Sequence, residues 1–264
     1  MDRISRALEQ AKSKIADIAE DEEVITARKP VNYTKSKKVQ LDKELLQQNR
    51  ILTEMEDGRI IDTYGLLRTR VLQIMRQNNW KTLGITSPNP STGKTLTAIN
   101  LAISIALDHN YSALLIDADM RKPGVNRTLG LELMSGLDDY LMADEAIENI
   151  FISPEIENLL ILPTNEVHKG SAELLSSPGM MRFIEQAKKR YPERIVLFDL
   201  PPVLIGDDVV ALSTRLDAML IVVEDGATGS EDFMQAIELL HNVNIVGTVL
   251  NKALVAENQT DYYY

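Results

Sequence analysis

Cysteine is missing from the 264 residues, so no disulfide and no thiolate metal site can form. That fits a reducing compartment. Histidine is scarce. The three present, His109, His168 and His241, are scattered, and each reads as a surface or loop residue rather than a metal ligand. No apolar run approaches the roughly 18 residues needed to cross a bilayer, and the opening Met1-Asp2-Arg3 leads into no apolar stretch of the secretory type. The expectation is a cytoplasmic chain. Positive charge is also in short supply: 28 Lys and Arg against 39 Asp and Glu leave a net charge of −11. Such a surface repels a polyanion, so nucleic acid is not expected as a partner. Apolar residues, at 44%, are ample for a proper core. The length suits one large α/β domain plus an extra segment, and two full domains would be tight.

Ile4, Leu8, Ala11, Ile15 and Ile18 recur at spacings of three and four, which predicts a helix over about residues 3–19. Arg3, Arg6, Lys12 and Lys14 flank its apolar stripe. Such a helix either docks on a partner or a membrane surface or packs on its own domain. Residues 20–45 read as a linker, acidic at 20–23 and then basic and polar at 28–38, with few large apolar residues to offset the entropy of ordering. A second helix is expected over 61–77, with Leu66, Leu67, Val71 and Ile74 on one side. From Lys81 onward the rhythm is strand, helix, strand. Candidate strands are 82–86, 113–117, 159–162, 195–199, 219–223 and 245–250, with helices such as 95–107, 180–190 and 230–241 between them. Short continuous apolar strands are what a sheet covered by helices on both faces requires. The pattern predicts an α/β, doubly wound, mainly parallel sheet in three layers, with a helical N-terminal extension. In such sheets ligands sit beyond the carboxyl ends of the strands.

Three segments place chemistry at those ends. The first is Ser87-Pro88-Asn89-Pro90-Ser91-Thr92-Gly93-Lys94-Thr95, between a strand and a helix. That is the context of a phosphate-binding loop, whose backbone N–H groups and helix N-terminus attract phosphate oxygens. Pro88 stands where the first glycine of the usual pattern would be. Ser91, Thr92, Gly93, Lys94, Thr95 and Leu96 are the candidate nucleotide contacts, with Lys94 reaching the β- and γ-phosphates and the Thr95 hydroxyl ligating Mg²⁺. The second segment is the apolar run ending in Asp117-Ala118-Asp119. Its two carboxylates alternate onto one side of a continuing strand, where they can serve Mg²⁺ or accept a proton from an attacking hydroxyl. The third is Ile195-Val196-Leu197-Phe198-Asp199-Leu200-Pro201-Pro202, in which Asp199 would hold Mg²⁺ from its outer shell. Asn251, at the end of another strand, offers an amide that could read a purine ring or form a turn. Tyr262-Tyr263-Tyr264 closes the chain and reads as a phosphate acceptor, a frayed tail or an aromatic patch.

Together these motifs resemble the bacterial tyrosine kinases of polysaccharide biosynthesis, P-loop enzymes unrelated to the eukaryotic kinase fold. The signatures are Asp117-x-Asp119-x-Arg121-Lys122-Pro123, Phe198-Asp199-x-Pro201-Pro202 and the tyrosine-ended tail. The opening Ile4-Ser5-Arg6-Ala7-Leu8-Glu9, with Ser87-Pro88-Asn89-Pro90 and Val223-Glu224-Asp225-Gly226, looks most like the subgroup of exosortase-associated exopolysaccharide loci. The resemblance implies ATP·Mg²⁺-dependent autophosphorylation of Tyr262, Tyr263 and Tyr264. It implies Lys94, Asp117 and Asp119 as catalytic residues and Thr95, Asp117 and Asp199 around the metal. It divides the chain into a helix and linker (1–45), a kinase domain (46–255) and a tail (256–264).

The resemblance further implies a separate membrane-embedded polysaccharide co-polymerase as activator, a peripheral position at the inner face of the membrane through that partner, and self-association. Family members often carry E-x-x-R-x-x-R before the domain. Here Asp62 replaces the Glu, Gly65 the first Arg, and Arg68 remains. An extended chain from Asn251 to Tyr262 spans at most about 36–40 Å, so reach permits self-transfer, while the family implies transfer between neighbours. The rival readings are a positioning ATPase of the same superfamily, which usually has a second lysine where Asn89 stands, and a nucleotide-binding regulator without catalysis.

Overall fold

A computed structural model describes residues 36–52, 58–132, 135–143, 145–147 and 149–253, all within the unit Val31–Tyr264. The expected helix over 3–19 and the tyrosines at 262–264 lie outside the described residues. In chain order the elements are β1 (Lys37–Lys38), α1 (Lys43–Gln48), α2 (Gly58–Gln77), β2 (Thr82–Thr86), α3 (Lys94–Ala106), β3 (Ser112–Asp117), α4 (Val125–Leu129) and α5 (Leu137–Ala143). Then follow β4 (Ile152–Ser153), β5 (Leu159–Leu162), α6 (Ser171–Leu175), α7 (Pro178–Arg190), β6 (Arg194–Asp199), a 3₁₀ turn (Val203–Ile205), α8 (Asp208–Ser213), β7 (Ala218–Glu224), α9 (Ser230–Leu239) and β8 (Ile245–Asn251). Among the described residues, no helix is long and apolar enough to cross a membrane.

The strands form one sheet in the order β1-β4-β5-β3-β6-β2-β7-β8. Every pairing is parallel except β4 with β5. Alternation along the central strands feeds two separate cores. Leu83, Ile85, Leu115, Leu197 and Leu220 pack with α2 and α3 on one face. Leu114, Ile116, Val196, Phe198 and Ile221 pack with Phe183 and Ile184 of α7 and Leu212 of α8 on the other. The doubly wound architecture is therefore present, and the six expected strands appear with ends that agree to within a residue or two.

Two differences concern the N-terminal side. Residues read as the end of a linker belong to the fold. Lys37 and Lys38 pair with Ile152 and Ser153, and Asp42 caps α1 by accepting the N–H groups of Glu44 and Leu45. Leu46, Ile51 and Leu52 are buried in the core, so the boundary expected at 45/46 falls inside α1. A two-residue strand has no periodicity to read, which is why composition misjudged it. The buried stripe of α2 is Val71, Leu72 and Met75, whereas Leu66 is 52% exposed. The expected face thus holds at Val71 and at Leu67, which packs against the same core, and fails at Leu66. Arg68 donates from Nη1 to the Ser104 carbonyl at 3.0 Å, tying α2 to α3 within the chain.

Asp217 organises the sheet end opposite the strand carboxyl termini. Its Oδ2 accepts the N–H groups of Lys81 at 2.8 Å and Thr82 at 2.9 Å, and its Oδ1 pairs with Lys188 Nζ at 2.7 Å. Burial alone would raise the Asp217 pKa, but Lys188 and the two N–H donors outweigh it and hold it below the ordinary value. A depressed folded pKa stabilises the fold above the unfolded value, near ~3.9, and that stabilisation is lost as pH falls through the folded value. Asp217→Asn is expected to cost about 1–2 kcal/mol at pH 7 and much less near pH 3. Urea titrations at the two pH values check this, and an equal cost at both would contradict it.

Candidate active site

Parallel register brings the chemistry to one edge. Asp117 is paired with Asp199 across β3 and β6, and Asp199 with Ile85 across β6 and β2. Residues 87–93 leave the end of β2, so two carboxylates and the candidate phosphate loop share three adjacent strand ends. The loop then opens α3 at Lys94.

Lys94 and Asp119 are almost fully buried, and Asp117 and Asp199 completely so. Lys94 Nζ lies 2.7 Å from Asp119 Oδ2 and 3.4 Å from Asp199 Oδ1. The Thr95 hydroxyl donates to Asp199 Oδ2 at 2.7 Å. Asp117 lies behind this group. Its Oδ2 accepts the N–H groups of Gly124 and Val125, both at 2.9 Å, and its Oδ1 accepts that of Asp119 at 3.2 Å. Asp119 Oδ1 in turn accepts the Lys122 N–H at 3.0 Å. Both carboxylates of the Asp-x-Asp pair thus shape their own loop, and Asp119 also faces the lysine.

Two carboxylates flank the ammonium, and a third, Asp117, lies behind them. Burial, then the Asp199 charge, pushes the Asp117 carboxyl up to about 8. Burial also raises Asp199, against the pull of Lys94. Burial works against the Lys94 charge, but Asp199 and Asp119 overcome it, and its pKa is raised. The lysine stays an ammonium, and the pocket holds surplus negative potential that a divalent cation would relieve.

The phosphate loop is tied down along its length. Ser87 and Pro88 carbonyls accept from the N–H groups of Val203 at 2.8 Å and Leu204 at 3.3 Å. Asn89 Nδ2 donates to Asp232 Oδ2 on α9 at 2.6 Å. Asn251 Nδ2 donates to the Thr92 carbonyl at 2.7 Å, so the amide left open between reading a purine and forming a turn is engaged with the loop itself. Ser91 and Gly93 have φ of 64° and 91°. Gly93 has two reasons to be glycine: that φ, and an Asn251 Nδ2 only 2.2 Å from where a Cβ would stand. Leu96 packs its side chain against the core, leaving only its backbone in the first turn of α3 to face a ligand.

Several pairings around the site carry no sequence signal of their own. Arg121 Nε donates to Asp208 Oδ2 at 2.5 Å and Nη2 to Asp207 Oδ1 at 3.2 Å, and Ser171 Oγ donates to Asp208 Oδ1. This joins the Asp117–Asp119 loop to the starts of α6 and α8. His168, expected as a surface or loop residue, is a half-buried loop residue. Its Nε2 is 2.9 Å from Asp138 Oδ2, and its N–H donates to the Met120 carbonyl at 2.9 Å. Burial would raise Asp138, but the N–H of Asn165, His168 and the N–H of Glu166 outweigh it and hold the carboxyl low.

The residues present fit a nucleotide polyphosphate. Thr92 Oγ1 is buried without a hydrogen-bond partner, an arrangement that costs free energy until an acceptor arrives. It stands beside Gly93, immediately before the first turn of α3.

The family model described as the AAA domain matches residues 81–255. Tyrosine-protein kinase YwqD of Bacillus subtilis is 31% identical over 221 residues, 83% of this chain and 92% of that one. Tyrosine-protein kinase CpsD of Streptococcus pneumoniae serotype 4 is 30% identical over 184 residues, 68% of this chain and 79% of that one. The chimerical protein CapA2B2 shares the fold with a TM-score of 0.72 and 24% identity, covering 83% of this chain and 94% of that chain. With the loop, the acidic strand ends and these relatives in agreement, the chain belongs to the bacterial tyrosine-protein kinase family of P-loop proteins.

Proposed function

We propose that this chain is an ATP·Mg²⁺-dependent tyrosine autokinase that regulates exopolysaccharide polymerisation and export, with Tyr262, Tyr263 and Tyr264 as acceptors and transfer between neighbouring molecules. The observation that carries the reading is the cluster of buried Lys94, Asp119 and Asp199 with the half-buried Thr95, with bonds of 2.7 Å from Lys94 to Asp119 and from Thr95 to Asp199. Phosphoryl transfer asks mainly for positioning and charge neutralisation. ATP would supply the phosphoryl group, and Mg²⁺ held at Thr95 with Asp199 behind it would supply charge neutralisation. Lys94 adds a permanent positive charge inside a dry site, where it counts for far more than in water. Thr95, backed by Asp199, supplies the hydroxyl to hold the metal. Asp117, once ionised, is the proposed acceptor for the proton of the attacking phenol; the raised pKa of its buried carboxyl means that this form gains population as pH rises toward about 8, and Asp119 keeps Lys94 oriented. Asn89 occupies the place of the second lysine of positioning ATPases, and its amide is committed to Asp232; this disfavours that rival.

The activator is proposed to be a separate membrane-embedded co-polymerase, which would keep the kinase at the inner face of the membrane. Incubation with ATP·Mg²⁺ followed by mass spectrometry is expected to find phosphate on Tyr262, Tyr263 or Tyr264. The initial rate per molecule is expected to fall on dilution. Rapid ATP hydrolysis with no phosphotyrosine would return the assignment to the positioning ATPases, and a rate indifferent to dilution would mean transfer within one molecule.

A further inference from the structure

We infer that Asn251 and Lys252, at the end of β8, are positioning residues that aim the phosphate loop, and that Asn251 does not read the base. The inference rests on the nucleotide-binding reading above. Asn251 Nδ2 donates to the Thr92 carbonyl at 2.7 Å, and Lys252 Nζ donates to the Ser91 carbonyl at 2.8 Å. The two carbonyls belong to consecutive peptide units. In a trans peptide the C=O and the following N–H point in opposite directions. Drawing the Ser91 carbonyl outward therefore turns the Thr92 N–H inward, and drawing the Thr92 carbonyl outward does the same for the Gly93 N–H. Neither N–H has an acceptor among the described residues, so both stand ready for phosphate oxygens in an anion-binding concavity.

The clamp is anchored from outside the loop. Lys252 Nζ also pairs with Glu224 Oε2 at 2.9 Å, and Glu224 faces Asn251 across the β7–β8 register. Lys252 itself has φ of 58°, a left-handed conformation that turns its side chain back over the loop rather than onward along the strand. Ser91 and Gly93 also have positive φ, so the loop reverses hand twice in three residues and gains little from regular backbone bonding. External donors then decide where its N–H groups point. Reading a purine edge with both amide atoms would need Oδ1 and Nδ2 turned together toward the base; here Nδ2 is aimed at the Thr92 carbonyl and packs against Gly93.

The test uses calorimetric titration of the full chain with Mg·ADP, Mg·GDP and the base-free probe Mg·tripolyphosphate. Asn251→Asp keeps the size but sets an acceptor against the Thr92 carbonyl, and it is expected to weaken all three ligands by a similar factor, about tenfold or more. Lys252→Ala is expected to weaken all three about threefold, with Lys252→Arg restoring most of the loss because it still donates to Ser91. Thermal melting without ligand separates a misfolded variant from a misaimed loop, and the half-exposed Lys252 pair keeps the test open if Asn251→Asp does not fold. Unchanged tripolyphosphate affinity in Asn251→Asp, with an altered ratio of ADP to GDP binding, would overturn the inference in favour of base reading. A folded Lys252→Ala chain with wild-type affinity for all three ligands would overturn the clamp. Failure of the wild-type chain to bind any of them would overturn the nucleotide reading itself, and the two failures are therefore distinguishable.

Discussion

Lys94→Met is expected to lower autophosphorylation by about 10³-fold or more, equivalent to roughly 4 kcal/mol of transition-state stabilisation. Methionine fills nearly the same volume, so the loss is one of charge rather than of packing. The charge is hard to replace because the ammonium is almost completely buried, 2.7 Å from Asp119 and 3.4 Å from Asp199, where water cannot substitute for it. The same change leaves two buried carboxylates without their counter-ion. The variant is therefore expected to be less stable without ligand at pH 8 than at pH 5, where protonation relieves the repulsion. Initial-rate measurements at saturating ATP, paired with urea titrations at both pH values, separate the two effects. Autophosphorylation at the wild-type rate would rule out the catalytic scheme.

Asp199→Asn is expected to move activity and stability in opposite directions. Autophosphorylation should fall about 10²–10³-fold, because the Thr95 hydroxyl loses the anion that orients it and the metal loses a negative neighbour. Mg²⁺-free stability at pH 8 should rise by roughly 1–2 kcal/mol, because one of three crowded buried carboxylates becomes neutral. The pH dependence follows from the raised pKa. A carboxyl that ionises later in the fold than in the unfolded chain contributes its stability below the ordinary value, near ~4, and loses it as pH climbs through the folded value. Asp117, at about 8, marks the upper end of that window. In Mg²⁺-free buffer the wild type should lose stability between pH 5 and 8, and the variant should lose less. Equal slopes for the two proteins would show that Asp199 is not crowded in solution.

The sheet and the chemistry at its edge were legible because both leave marks along the chain. A buried parallel strand needs an uninterrupted apolar run, and Leu114-Leu115-Ile116 before Asp117 and Ile195 to Phe198 before Asp199 supply it. Glycine before Lys94-Thr95 is demanded by a φ of 91° and shows as a motif. What escaped were pairings between polar residues far apart in the chain. Lys252 with Ser91, Asn89 with Asp232 and Arg121 with Asp208 follow from tertiary arrangement and leave no periodicity behind. Asn251 was found at the right strand end, but its partner could not be read, since an amide suits a base and a carbonyl equally well. The stretch from Lys37 to Leu46 was misread because a two-residue strand and a six-residue helix bury too few side chains to shift local composition.

That short stretch matters for where the protein can be cut. Leu45 packs so closely over Gly130 that a Cβ there would come within 2.5 Å of it, and Asn49 donates to the Thr128 carbonyl at 2.8 Å. Both contacts land on α4 and the turn after it, and α4 begins at Val125, whose N–H is held by Asp117. Leu45 and Asn49, one on each side of the supposed domain start, thus form a rear wall for the Asp117 loop. A shortened version of the protein begun at residue 46 would keep the phosphate loop and all three aspartates and yet lose the Leu45 half of that support.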